Sequence, residues 1–267
     1  MANDEILSHV PDSPVPSGAG GERLLDLLRV MHRLRAPGGC PWDREQTHQS
    51  LARHLLEEAH ETLEAIDSGD ADRLRDELGD LLLQVVFHAE MAREEGTFDV
   101  DDVAQGILEK LVRRHPHVFG TVEVDSASEV LVNWERIKSE EKGEHPVDEE
   151  IPASLPALAR AAKVQRRAAG FGFDWRSDTG AFEKVREELA ELEATSADRA
   201  EEELGDVLFA VAALARRLSV DPETALRKAT RRFSERFERM RKDASAEGRD
   251  LEDLSERELL DRFRAAR

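Results

Sequence analysis

From Glu22 onward the apolar residues recur at three- and four-residue spacing, and Leu24, Leu25, Leu28, Met31 and Leu34 fall on one stripe of a helix. Two prolines and two glycines in APGGCPWD (36–43) end that stripe. A long helix is predicted over about 45–67 and a turn over SGD (68–70). The following run, 71–95, reads as helical until Gly96 stops it. Asp99, Asp101 or Asp102 is placed to cap a further helix that reaches about Arg114. HPHVFG (115–120) breaks the pattern, and 126–142 is helical again. Residues 1–21 read as a disordered tail, because VPDSPVPSGAGG carries prolines, glycines and no periodicity. Residues 143–154 read as an acidic, proline-containing linker.

The second half repeats the first. Helices are predicted over 155–167, 183–195, 198–218 and 221–241. A glycine and aromatic loop, GFGFDW (170–175), stands where GGCPWD (38–43) stood, with Trp175 echoing Trp42. LLEEAHE (55–61) followed by RDELGDLLLQVVF (75–87) is answered by VREELAE (185–191) followed by EEELGDVLFAV (201–211). A repeat of that length is an architectural unit. No strand-like alternation appears, so the fold class expected is all-α, with modules over 22–142 and 155–267.

At the centre of each repeat stands a set of acids. Glu58 and Glu61 are three apart on one helix, and Glu77 and Asp80 are three apart on the next. That spacing projects each pair from one helix face, and antiparallel helices bring the faces together. Glu188, Glu191, Glu203 and Asp206 repeat the arrangement. Acids on helices are ordinarily a solvated face. Three features argue otherwise. The runs 81–83, 85–87 and 207–215 are apolar nearly all round, which predicts buried helices. Gly79 and Gly205 sit mid-helix between the acids, each costing about 1 kcal/mol relative to Ala, which predicts close approach of a ligand or helix. And the set occurs twice. Clustered carboxylates repel one another unless a cation joins them, and an all-oxygen donor set suits a hard divalent ion, Mg²⁺ first and Mn²⁺ second. Mg²⁺ keeps waters and binds together with substrate phosphates, so the cluster points to phosphate chemistry.

Composition narrows the options. The chain has 267 residues, 58 acidic against 38 basic, for a net charge of −20. At roughly 100–200 residues per domain this allows one or two domains. So negative a chain is not expected to bind nucleic acid or an anionic membrane. Tyr is absent and aromatics are 5%, so the core is expected to be aliphatic. The single cysteine, Cys40, excludes an internal disulfide and a cysteine-based zinc site, and is read as a small buried or half-buried residue. No apolar run approaches the roughly 20 residues of a membrane helix, and MANDEILSHV lacks the features of a secretory signal, so a cytoplasmic protein is expected. Phosphates would need cations: Lys184 stands four before Glu188, Arg199 four before Glu203, and Arg231, Arg232 and Arg236 cluster on the last long helix. In the first module the comparable residues are His54, Arg73, Arg113 and Arg114. His115 and His117 are read as loop structure, and Trp42 and Trp175 as anchors packing their loops on the bundles.

These letters resemble a known family, the two-domain MazG nucleoside triphosphate pyrophosphohydrolases. The family pattern EExxE followed by ExxD appears as Glu57-Glu58-Ala59-His60-Glu61 with Glu77-Leu78-Gly79-Asp80, and as Glu187-Glu188-Leu189-Ala190-Glu191 with Glu203-Leu204-Gly205-Asp206. GGCPWDREQTH (38–48), RRHPHVFG (113–120), WERIKSEEK (134–142) and GFDW (172–175) are similar to that family's wording. The resemblance implies four-helix-bundle modules that pair in a homodimer. It also implies hydrolysis of nucleoside and deoxynucleoside triphosphates to monophosphate and pyrophosphate with Mg²⁺, mainly by the C-terminal module. Glu188, Glu191, Glu203 and Asp206 match its metal ligands, with Glu58, Glu61, Glu77 and Asp80 their counterparts. Lys184, Arg199, Arg232, Phe233 and Arg236 match nucleotide contacts. Thr230 stands where the family often has Asn, Arg232 replaces a Lys, and Leu260 falls where a relative can present a Trp. The expected chemistry is metal-assisted hydrolysis, with Glu187 orienting the water and Lys184 and the arginines offsetting charge on the leaving pyrophosphate.

Two rival readings make different demands. A di-iron bundle wants Glu-x-x-His from two helices; Glu57 and His60 supply one, but Ala190 stands in the second position. A non-catalytic acidic adaptor predicts neither Mg²⁺ dependence nor nucleotide binding. Within the favoured superfamily, a house-cleaning pyrophosphatase of narrow substrate choice is the alternative.

Overall fold

The computed structural model describes residues 21–126, 129–130, 133–134, 136–137, 141, 147–148, 151–175 and 177–266. The expected tail, apart from Gly21, and half of the expected linker (143–146 and 149–150) lie outside the described residues. The described chain is all-helical, as the periodicity predicts, and divides into two compact units with the boundary between residues 141 and 142.

In the first unit α1 (Glu22–Arg35) leads through a short α2 (Pro41–Glu45) to α3 (His48–Ser68) and α4 (Ala71–Glu95). Then come α5 (Val100–Arg114) and a single turn, α6 (Pro116–Phe119). The described residues between 129 and 141 are helical as well. Local chemistry sets the ends. Thr47 and Ser50 form a capping box at the start of α3. Gly69, left-handed at φ 73°, ends α3, and the Asp70 carboxylate accepts from the first amides of α4. Asp99, one of the three acids expected to cap α5, does so in a box with Asp102. Caps of this kind are each worth about 1 kcal/mol. α3 and α4 run antiparallel: Thr62 Oγ1 donates to the Glu77 carbonyl at 3.4 Å, and His48 meets His88 further along. Met31, Leu51, Val86, Phe87 and Met91, flanked by Leu27, Leu28 and Leu83, form the core of α1, α3 and α4.

In the second unit α7 (Ala157–Gly170), α8 (Asp178–Ala194), α9 (Ala200–Arg217) and α10 (Pro222–Ala246) are followed by a 3₁₀ turn, Leu251–Asp253, and α11 (Glu256–Ala265). No helix after 241 is predicted from the sequence pattern. α11 forms around a Ser255–Glu258 capping box and packs on α10. α8 and α9 are antiparallel, tied at one end by Arg217 to Asp178 at 2.9 Å. The buried face of α9 is built from small residues, Val207, Ala210, Ala212 and Ala213, against which α7 sends Gln165 to the Phe209 carbonyl at 2.7 Å.

Three expectations are corrected. The apolar runs are not buried all round: Leu82, Val85, Leu208, Phe209 and Val211 are exposed within this chain, because each helix has neighbours on one side only. Gly79 and Gly205 face open space, where an added Cβ meets nothing within 4 Å, so of the two expected neighbours the helix is not there among the described residues. Trp42 is not an anchor but is 54% exposed, whereas Trp175 is half-buried, with its ring against the spot where a Cβ on Gly180 would stand. Cys40 is a half-buried free thiol, as expected.

Candidate metal centre

Each antiparallel hairpin brings three of its four expected acids together. In α8–α9, carboxylate oxygens of Glu188, Glu203 and Asp206 lie within 4.8 Å of one another. In α3–α4 the same holds for Glu58, Glu77 and Asp80. Ligands around an octahedral Mg²⁺, about 2.1 Å from the ion, stand roughly 3 to 4 Å apart, so both groups fit such an ion with small side-chain adjustments. Glu191 and Glu61, one turn beyond Glu188 and Glu58, are exposed and stand outside the groups. His60 is exposed and joins neither, which removes the histidine that a di-iron site requires.

The two sites differ in their cations. Glu188 and Glu203 are buried, each with 8% of its side chain exposed. Lys184 Nζ bonds Glu187 at 2.7 Å and Glu188 at 2.8 Å, and those partners, Glu187 first, hold its ammonium well above the usual lysine range. Arg199 bonds Glu203 at 2.8 Å and Glu202 at 3.2 Å. Asp206 is exposed and makes no ion pair or hydrogen bond among the described residues. In the first unit Arg73 reaches Glu77 at 3.4 Å and Glu64 at 3.0 Å. His54 bonds Glu57, at 3.0 Å. Burial, followed by repulsion from Asp80, Glu61 and Glu77, raises the Glu58 carboxyl above its ordinary range. Arg113 and Arg114, expected beside this cluster, instead clamp Glu141 at 2.5 and 2.6 Å and push its carboxyl down to about 2. Arg114 also lies over the Trp134 ring, and His115 meets that ring edge-on, a structural role in keeping with the loop reading of His115.

A groove between α10 and α11 gathers the remaining expected residues. Arg232, Phe233 and Arg236 line it together with Ala229, Glu235, Arg239 and Phe263. Phe233 and Phe263 rings are 5.1 Å apart, and the Arg236 guanidinium sits 4.3 Å from the Phe263 centroid while donating to the Arg264 carbonyl. Arg231 does not line the groove but pairs with Glu235 at its edge, at 3.8 Å. Arg232 makes no hydrogen bond or ion pair among the described residues. Leu260 is half-exposed and does not line the groove; the aromatic ring there is Phe263, one turn further on. Sequence reasoning missed Phe263 because it placed no helix over 256–265; the capping pattern Ser255-x-x-Glu258 was the available signal.

Fold and site together define an all-α protein with twin hairpin-borne carboxylate triads suited to a hard cation. Residues 46–119 match the MazG nucleotide pyrophosphohydrolase domain, a span containing all four acids of the first unit. The chain is 50% identical over 232 residues to the nucleoside triphosphate pyrophosphohydrolase/pyrophosphatase MazG of Thermotoga maritima, covering 86% of this chain and 89% of that one. It is 50% identical over 235 residues to the nucleoside triphosphate pyrophosphohydrolase of Escherichia coli K12, covering 84% and 89%. The chain therefore belongs to the MazG family of nucleoside triphosphate pyrophosphohydrolases.

Proposed function

We propose that this protein hydrolyses nucleoside and deoxynucleoside triphosphates to the monophosphate and pyrophosphate in the presence of Mg²⁺, chiefly at the α8–α9 site. The observation that carries this is the buried pair Glu188 and Glu203 beside Asp206, flanked by Lys184 and Arg199, in a chain half identical to enzymes named for that activity. Glu188, Glu203 and Asp206, with Glu191 swinging in from the next turn, would hold Mg²⁺ or, in its place, Mn²⁺. The bound ion supplies Lewis-acid polarisation of the phosphate oxygens. Glu187 is exposed beside the cluster and orients the attacking water, accepting its proton as the new oxygen–phosphorus bond forms at the α-phosphate. The bond from the α-phosphorus to the bridging oxygen breaks, and the departing pyrophosphate takes its charge past Lys184 and Arg199. In the α10–α11 groove Arg232 and Arg236 provide cations and Phe233 and Phe263 provide ring faces for the rest of the nucleotide.

The same reading accounts for the exposed apolar faces. Leu204, Leu208 and Val211 on α9 match Leu78, Leu82 and Val85 on α4, and Phe182 and Leu189 on α8 and Leu55 and Ile66 on α3 are exposed as well. A second copy pairing hairpin on hairpin covers them, and this is the proposed homodimer. No described helix is long and apolar enough to cross a membrane, and a cytoplasmic location, where nucleoside triphosphates are held, belongs to the same proposal. Incubation with each triphosphate and Mg²⁺, with products separated by ion-exchange chromatography, tests the activity. Monophosphate and pyrophosphate are expected; nucleoside diphosphate and inorganic phosphate as primary products would overturn it.

A further inference from the structure

The first unit contains a histidine pair that the proposed chemistry does not use. His48, the first residue of α3, and His88, on α4, approach with their Nδ1 atoms 2.7 Å apart, and their rings lie edge to edge and nearly coplanar, with centroids 5.0 Å apart and 7° between planes. A contact that short between two nitrogens requires one hydrogen between them. His88 Nε2 is fully enclosed and has no hydrogen-bond partner among the described residues. The tautomers follow. If His88 accepted at Nδ1, its hydrogen would sit on the enclosed Nε2 without an acceptor, at a desolvation cost. His88 therefore donates from Nδ1 to His48 Nδ1, and His48 carries its own hydrogen on Nε2, on a half-buried ring.

This pair has no comfortable place for another proton. A cationic His48 that keeps the bond donates from Nδ1, which forces the His88 hydrogen onto Nε2. A cationic His88 carries that same hydrogen and a buried charge besides. Every singly protonated form that retains the bond thus leaves a polar hydrogen on the enclosed Nε2. Burial, followed by repulsion from His48, holds the His88 imidazole below its ordinary range. The neighbouring elements offer no relief. On α1, His32 is held by Glu90 and Arg93, and Arg35 by Glu94. On α3, His54 lies between Arg53 and Glu57. On α5, Asp99 caps its own helix, and Asp101 and Asp102 lie in that helix's first turn.

We propose that the His48–His88 pair is a pH-sensitive latch that holds the start of α3 on α4 when neutral and releases it in acid. The sign follows from linkage. The open state binds a proton at the ordinary histidine pKa of about 6.5 and the closed state only at lower pH, so closure weakens as pH falls below about 6.5. Each pH unit between the two values shifts the balance by up to about tenfold. The latch sits toward the open end of the α3–α4 hairpin, ten residues along α3 from Glu58 and eight along α4 from Asp80. Opening therefore starts away from the acid cluster.

Hydrogen exchange on the full-length protein at pH 7.5 and 5.5, corrected for intrinsic rates, tests this. The expected result is loss of protection over residues 48–56 and 84–92 at pH 5.5, with residues 207–217 unchanged between the two pH values. His88→Phe, which keeps an aromatic ring at the position without a titrating nitrogen, is expected to abolish that difference. Equal protection of 48–56 at both pH values, or an undiminished difference in His88→Phe, would overturn the proposal. Long-range ¹H–¹⁵N spectra of the unmutated protein give a reading independent of any variant's folding. A hydrogen on His88 Nδ1 and titration below the ordinary range are expected. A hydrogen on Nε2, or titration at an ordinary value, would refute the latch.

Discussion

Asp206→Asn separates metal binding from folding by sign. Asp206 is exposed and has no ion-pair or hydrogen-bond partner among the described residues, so the substitution removes a charge and little else. Its carboxylate stands within 4.8 Å of both Glu188 and Glu203. In water-like surroundings two unit charges at that separation repel by about 0.9 kcal/mol, so unscreened relief from both neighbours starts at about 2 kcal/mol. Lys184 and Arg199 already neutralise part of that field, which lowers the gain. Without divalent metal the variant is thus expected to melt at the same temperature as the unmutated chain or a few degrees above it. Hydrolysis should move the other way. Losing one of the few ligands of a cation that stabilises developing charge is expected to cost at least about 100-fold in kcat/KM, comparable to removing one oxyanion donor. Asp80→Asn, the same change in the first unit, should leave most of the activity, because Lys184 has no counterpart bonded to Glu58 among the described residues: His54 bonds Glu57 instead. The assays are pyrophosphate release with several triphosphates, and melting followed by circular dichroism with and without Mg²⁺. Loss of activity in Asp206→Asn only in step with loss of helix content would refute a metal role for Asp206. Abolition of turnover by Asp80→Asn would overturn the placement of the activity in the second unit.

Other outcomes follow from the same geometry. Lys184→Gln should lower kcat by roughly 10- to 100-fold, since it loses the ammonium that bonds both Glu187 and Glu188; an unchanged kcat in steady-state assays would remove Lys184 from the chemistry. Phe263→Ala should raise KM for triphosphates several-fold with little change in kcat, because the ring lines the groove and not the acid cluster; no change in KM would separate the groove from the substrate. Glu141→Gln should destabilise the first unit by about 1 kcal/mol at neutral pH, given a partly exposed clamp. Its carboxyl is depressed to about 2, so that stabilisation is present above the ordinary glutamate range and lost as pH falls toward 2; denaturant melts at pH 7 and 3 should show the difference between the proteins shrinking. Mg²⁺ with a non-hydrolysable triphosphate at 100 times its Kd should stabilise the second unit by about 2.7 kcal/mol, visible as a raised melting temperature; a melt indifferent to both would argue against a shared site.

Much of the site was legible in the letters because helical spacing is local. Glu188 with Glu191, and Glu203 with Asp206, lie three apart, and that alone places each pair on one face. Lys184 and Arg199 were legible for the same reason, being four residues before the acids they bond. Arg113 and Arg114 were misplaced because their partner, Glu141, is 28 and 27 residues away, and no spacing rule carries that far. Phe263 was missed for a related reason. It reaches the groove through a turn and a capped helix, and its relation to Phe233 exists only once α11 folds back on α10.

The sequence by itself determined the long helices up to residue 241, the cap at Asp99–Asp102, the twofold repeat and the pairs of acids, since each depends on backbone periodicity and on groups within four residues of one another. Only the tertiary structure decided which acids meet across a hairpin. It selected Glu188, Glu203 and Asp206 and left Glu191 outside, a choice made by the rotation of α8 against α9. It also decided that the apolar runs of α4 and α9 keep one face open, since burial depends on what packs against a helix and not on how hydrophobic that helix is. And it joined His48 to His88, forty residues apart in the chain, at a distance where one proton more or fewer changes the bond.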